Sequence, residues 1–247
     1  MSIHADEALV LGTRPYSNTS LIATLFSRKM GKVRLVAKGV RSPKNRIGIG
    51  LEPATHVYTE WSIRSGADLG TLRSCETLTV FHRLWSDMDA MNLAGRILRT
   101  VDRVFGVSEG DEEHFGLAHA AFEAIEAGGE LESVEALFMA ILLGRMGLAP
   151  GLTYCTSCDK KPGTEGASLD LASGELRCGR CPLPAMQGMR LKSGAIKTLK
   201  EIMNLEAGKI RSVRIHTSLR REVIGAASAF LSFHTGHSLP AQTRKSR

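Results

Sequence analysis

The chain has 247 residues, 43% of them hydrophobic and 23% charged, with a mean hydropathy of -0.05. This balance belongs to a globular protein and excludes a wholly disordered one. No apolar run approaches the roughly 18 residues of a membrane span. The N-terminal MSIHADEALV carries Asp6 and Glu7 and lacks the basic start of a secretory signal, so a cytoplasmic protein without a membrane partner is expected. The net charge of +7 is unevenly spread: residues 1–80 hold 11 Lys and Arg against 6 Asp and Glu, residues 81–150 hold 5 against 12, and residues 151–247 hold 16 against 7. Basic outer regions around an acidic middle fit a polyanionic partner for the outer two, although three solvated faces would give the same sums.

The first 80 residues read as short strands. Glu7–Arg14, Leu21–Ser27, Lys32–Lys38, Ala54–Arg64 and Leu69–Leu78 are rich in apolar and β-branched residues, with turn signals at Pro15–Asn18, Met30–Gly31, Gly39–Pro43 and Ser65–Gly66. In Lys32–Lys38 the alternation sends Val33, Leu35 and Ala37 to one face and Lys32, Arg34, Val36 and Lys38 to the other, which is largely cationic. Five strands in about 75 residues fit a small closed barrel of the OB-fold, and an SH3-like barrel almost as well. From Val80 the period becomes helical: Phe81–Phe105, then an acidic break at Ser108–Glu113, then Phe115–Ala127 and the very apolar Glu132–Arg145, closed by Gly147 and Pro150. After a turn-rich stretch over 151–185, Ala195–Leu205 and Ser218–His234 again read as helices, and Gln242–Arg247 forms a basic tail.

Four of the five cysteines form two pairs, Cys155-x-x-Cys158 and Cys178-x-x-Cys181, separated by 19 residues. Two such knuckles aim four thiolates at one point, the tetrahedral set of a structural Zn²⁺ site with no open position for catalysis. Lys160, Lys161, Arg177 and Arg180 flank the thiolates and offset their charge. Disulfides are disfavoured in a cytosolic chain, a redox CxxC would leave the second pair idle, and iron–sulfur spacings are usually tighter. The lone Cys75 reads as a small core residue.

Between Glu7 and Glu52 no acidic residue occurs, while eight cations crowd the span 28–46: Arg28, Lys29, Lys32, Arg34, Lys38, Arg41, Lys44 and Arg46. Such a run cannot neutralise itself and suits sequence-tolerant phosphate contacts on a nucleic acid; a solubilising loop is the plainer alternative. Of the aromatic residues here, Tyr16, Phe26, Tyr58 and Trp61 are candidates for a stacking face, several of them better read as core. No phosphate-binding GxxxxGK[ST], GxSxG or HExxH motif is present, and the eight histidines are scattered, His114, His119, His234 and His237 reading as surface or capping residues. The chain reads as a binding protein rather than an enzyme.

Taken together, EALVL from Glu7, Tyr16 after Arg14-Pro15, Phe26 followed by Gly31-Lys32-Val33, Ala37-Lys38-Gly39-Val40-Arg41, and LAPGLTYCTSC from Leu148 resemble the RecO family of bacterial DNA repair proteins. The resemblance covers nearly the whole chain, and it departs in having Asp159 where a glycine often follows the first knuckle. It implies an α+β protein with an N-terminal OB-fold β-barrel, followed by an α-helical domain carrying an inserted four-cysteine zinc-finger module. The expected divisions are 1–80 for the barrel, 81–150 for a helical bundle, 151–185 for the zinc module and 186–247 for C-terminal helices packing on the bundle. The implied activity is that of a non-enzymatic recombination mediator, nucleoid-associated, which binds single- and double-stranded DNA, anneals complementary strands, and with RecR helps RecA replace single-strand-binding protein, RecF being a further associate. A zinc-ribbon factor of transcription or RNA processing is the alternative. Arg211, Arg214, Arg220 and Arg221 are candidates for docking the acidic tail of single-strand-binding protein; pairing with carboxylates of the bundle is their alternative role.

Overall fold

The computed structural model describes residues 2–42, 50–181 and 188–239. Five strands form in the first eighty residues: β1 (Ser2–Pro15), β2 (Leu21–Ser27), β3 (Gly31–Ala37), β4 (His56–Ile63) and β5 (Gly70–Thr79). They close in the order β1-β2-β3-β5-β4, with β3 and β5 parallel and the other pairs antiparallel. Insertion of β5 between β3 and β4 gives the Greek-key closure of the OB-fold and decides between the two barrels that spacing alone allowed. β1 begins five residues earlier than its hydrophobic pattern indicates, because Ser2 to Glu7 pair with β4 and His4 stacks on Trp61 at 5.5 Å.

The alternation expected of β3 is realised. Val33, Leu35 and Ala37 meet Val10, Ala23, Leu25, Val57, Trp61, Leu72 and Cys75 in the barrel interior. Each large side chain buried there stabilises the fold by roughly 1.5–3 kcal/mol. Cys75 is a core residue, and burial pushes its thiol up to about 11.

Where a single helix over Phe81–Phe105 was expected, Asp87 divides it into α1 (Arg83–Ser86) and α2 (Met88–Val104). Its backbone is extended, and its carboxylate accepts the N–H groups of Asp89 and Ala90, so it serves as the N-cap of α2. Asp111 caps α3 (Glu112–Glu126) in the same way. Both long helices pack on β1, and the Phe26 ring on the outer barrel wall meets Phe105 at 5.1 Å. The acidic segment between the helices docks on the β2–β3 turn: Lys32 N–H donates to Glu109 O (2.9 Å), and Ser108 N–H donates to Lys32 O (2.7 Å). Gly31 makes this possible, with φ of +64° and no room for a side chain; a Cβ there would lie 2.1 Å from Glu109 O.

These elements form one compact unit, Met1–Ala127; Gly128–Arg247 form a second. The division falls inside the 81–150 segment expected to be one bundle, because α3 belongs with the barrel and the next helix does not. In the second unit α4 (Leu131–Arg145) is buried along its length from Ser133 to Leu143. Against it lie α6 (Thr217–Thr235) and a 3-10 turn over Ala207–Arg211, with α5 (Ser193–Ile202) packed on α6. The turn-rich stretch supplies β6 (Ala167–Asp170) and β7 (Leu176–Cys178) of a small antiparallel sheet, which β8 (Gly188–Leu191), past the expected end of that stretch at 185, completes in the order β7-β6-β8. One face of this sheet buries Leu169, Leu176 and Leu191 and lays Met189 over Gly225 of α6. Among the described residues no helix is long and apolar enough to cross a membrane.

Candidate functional site

The two cysteine knuckles are brought together by β7 and the loop before it. Cys155 N–H donates to Lys160 O (2.9 Å), Asp159 N–H to Cys155 O (2.8 Å), and Thr156 N–H to Leu176 O (2.9 Å), which ties the first knuckle to the strand that ends in Cys178. Asp159 closes the first turn at φ +54°, the left-handed region that glycine favours and that aspartate enters more readily than most residues. All four Sγ atoms lie within 4.8 Å of one another, and Cys158 and Cys178 Sγ are 3.8 Å apart. A tetrahedron of 2.3 Å metal–sulfur bonds has edges of about 3.8 Å, so the cluster fits such an ion. Its members are all free thiols. The backbone N–H of Cys178, with those of Ser157 and Cys158, holds Cys155 down to about 6, while hydrogen bonding to Cys158 pushes Cys181 up to about 11. Four cysteines that expected to meet do meet, and they can hold a metal ion.

Of the eight predicted cations, six are among the described residues: Arg28, Lys29 and Lys32 stand at the turn end of the β2–β3 hairpin, Arg34 in mid-strand, and Lys38 and Arg41 just past the other end of β3. At the turn end, Arg28 is held by Glu112 and lies 3.6 Å from Glu7. The Lys32 side chain is 12% exposed and pairs with Asp102 of α2 at 3.3 Å. The acidic region between the basic blocks therefore supplies their counter-ions. Lys29 remains exposed beside them.

Farther along, Arg34, Lys38 and Arg41 form no ion pair with another described residue, and Lys38 and Arg41 are exposed. Arg41 N–H donates to Thr19 O (3.1 Å) and Gly39 N–H to Ser20 Oγ (3.4 Å), stitching this turn to the β1–β2 loop. That loop carries Tyr16, 59% exposed, and is preceded by exposed Arg14. Register places Arg34 beside Thr24 and Gly12, and Arg14 beside Ile22 and Val36, on the outer wall. Arg14, Arg64 in the β4–β5 loop, and Arg73, the extra residue of a β5 bulge, are exposed cations that local charge density did not single out. The β2–β3 face and the β1–β2 and β4–β5 loops are the parts of an OB-fold that bind oligonucleotides. Phe26 and Trp61 belong to the core, leaving Tyr16 and Tyr58 as exposed rings. Lys44 and Arg46 lie outside the described residues.

Two further clusters bear on the expected sites. The histidines are not all at the surface: His56 Nδ1 and His119 Nε2 are 3.2 Å apart, between Glu7 (3.3 Å from His56) and Glu123 (3.8 Å from His119), where the barrel meets α3. Burial lowers the pKa of both, and the proximity of His119 lowers that of His56 further. A histidine with a depressed pKa binds fewer protons folded than unfolded, so its contribution is complete above the usual value near 6.5 and is lost as pH falls below it. The urea midpoint is expected to drop between pH 7.5 and 5.5, and His119→Gln should flatten that drop; an unchanged slope in the variant would assign the drop to other groups.

Among the C-terminal arginines, Arg220 pairs with Glu130 (2.9 Å) and donates to Ile215 O (2.7 Å), and Arg221 lies 3.3 Å from Glu132. Both are thus engaged within the second unit. Arg214 donates to the carbonyls of Arg211 and Val213 and is exposed.

Residues 1–81 match the family profile described as Recombination protein O N terminal, and residues 86–243 match that described as Recombination protein O C terminal. The DNA repair protein RecO of Desulfitobacterium hafniense (strain Y51) is 26% identical over 234 residues, covering 93% of this chain and 84% of the relative. That of Symbiobacterium thermophilum is 25% identical over 245 residues, covering 98% and 96%, and that of Geobacter metallireducens is 32% identical over 175 residues, 71% of each. With the barrel strands, α2 to α6 and the cysteine module inside the two matched segments, the chain belongs to the RecO family of DNA repair proteins.

Proposed function

We propose that this chain is a non-enzymatic recombination mediator that binds single- and double-stranded DNA on the outer wall of its barrel. The observation that carries the reading is the patch formed by Arg14, Tyr16, Arg34, Lys38 and Arg41, where two loops are joined by backbone hydrogen bonds and none of the four cations is committed to a carboxylate among the described residues. Such a patch favours phosphate contact over base readout, because guanidinium and ammonium groups see every nucleotide alike and a single exposed tyrosine can stack on any base. Lys44 and Arg46 continue the same basic segment in sequence. Contacts of this kind lower the repulsion between two strands without fixing their sequence, which is what annealing requires.

In this reading the four cysteines hold one structural Zn²⁺ per chain, which cross-links the two knuckles and leaves no position for a reacting ligand. The chain acts with RecR, and with RecF where it takes part, so that RecA loads on DNA previously covered by single-strand-binding protein. Arg214, exposed and bonded only to backbone carbonyls, is the basic point that meets the acidic tail of that protein, Arg211, Arg220 and Arg221 being engaged within the chain. The test is annealing of complementary oligonucleotides coated with single-strand-binding protein. Acceleration without nucleotide hydrolysis is expected; binding of DNA with no acceleration would reduce the chain to a DNA-binding module of another kind.

A further inference from the structure

The small sheet of the second unit covers only one of its faces. Ser168 of β6 stands in register between Arg177 of β7 and Arg190 of β8, so the three side chains leave by the same face, opposite to Leu169, Leu176, Cys178 and Leu191. With strands about 4.8 Å apart, the two arginines stand roughly 10 Å apart across the serine. Both side chains are long enough to lean over it.

Two carboxylates lie beside Arg177, and neither is paired with Arg190. Glu175 accepts from Arg177 Nη2 at 3.0 Å and from Thr156 Oγ1 at 3.3 Å. Asp170 accepts the N–H groups of Ser173 and Ala172, which closes its own turn, and it also feels the charge of Arg177; together these hold its carboxyl below the usual range. Arg177 Nε is buried without a hydrogen-bond partner, and Arg190 is exposed with no ion pair to a described residue. The exposed guanidinium of Arg190, the Ser168 hydroxyl and the Arg177 guanidinium, part exposed and with one N–H unmet, together suit an anion with several acceptor oxygens. Guanidinium groups match phosphate oxygens in this way.

We propose that Arg177, Ser168 and Arg190 form a second contact site for the phosphodiester backbone of a nucleic-acid strand, on residues separate from the barrel patch. It rests on the DNA-binding reading above and extends it, since a chain with two strand-binding surfaces holds two strands at once. The competing account is that basic residues on the edge strand β8 merely guard it against pairing with other chains.

Binding of a labelled single-stranded oligonucleotide to the full chain, as a function of salt, decides between them. It is measured for wild type, for Arg34→Ser/Lys38→Ser/Arg41→Ser, and for each with Arg190→Ser added, with thermal denaturation confirming that each is folded. In the barrel-variant background, Arg190→Ser is expected to weaken the residual binding about fivefold near 0.1 M salt and to lower the salt slope by about 0.7, the share of one single-strand phosphate contact. Arg190→Lys should restore the slope. In the wild-type background the same change should slow annealing more than it weakens binding of one strand. If Arg190→Ser alters neither residual binding nor annealing, the second site is overturned while the barrel reading stands. If wild type binds no DNA, both readings fall together.

Discussion

Replacing Arg34, Lys38 and Arg41 together by alanine is expected to weaken single-stranded DNA binding roughly a hundredfold near 0.1 M salt and to lower the salt slope by about two. The size follows from counter-ion release: each lost phosphate contact removes about 0.7 from the slope, which at this salt is about fivefold in affinity. The loss should be the same for different sequences, because nothing in the patch reads base edges. Structural damage is not expected, since none of the three forms an ion pair with a described residue. Arg28→Ala is the informative contrast. That guanidinium is already shared by Glu112 and Glu7, so its removal should change DNA affinity by less than twofold. Normal binding by the triple variant would make the patch a solubility feature and move the DNA site elsewhere.

Removal of the metal should affect the second unit most. The purified chain is expected to carry about one zinc, and Cys158→Ser or a strong chelator should cost several kcal/mol, part of the roughly 10–16 kcal/mol that structural zinc supplies to isolated finger peptides. The effect is smaller than in a finger because α4 and α6 keep a hydrophobic core of their own. The sheet, however, reaches the first knuckle through Thr156 and Leu176, so loosening the knuckles should expose its buried leucines to solvent and protease. DNA binding by the barrel should persist at low temperature. Metal analysis that finds iron, or no metal and two disulfides, would overturn the zinc reading.

Much of this was legible in the residues. Strand alternation such as Val33, Leu35 and Ala37 announces a buried face, and two CxxC pairs announce a shared cluster of thiols, because both signals sit in a few neighbouring positions. What stayed hidden depends on distant partners. Lys32 looks free in a basic strand until Asp102 arrives from α2, and His56 and His119 meet across 63 positions. Asp87 lies inside a helical period, and only its side chain, accepting two backbone N–H groups, shows that a helix starts there. Strands of three or four residues, as in β6 to β8, carry too little alternation to stand out from turns.

The docking of the acidic segment on the β2–β3 turn has a practical corollary for fragments of this chain. The two matched family segments meet between residues 81 and 86, well inside the unit that ends at Ala127. A piece cut at that junction would keep all five strands yet lose the cover over Phe26, together with Asp102 and Glu112. It would carry a bare apolar wall and two liberated cations, and would therefore cling to polyanions, and to copies of itself, more tightly than its parent. Affinities measured on such a piece would overstate those of the whole protein; a piece ending at Ala127, in front of Gly128–Gly129, retains its counter-ions and its lining.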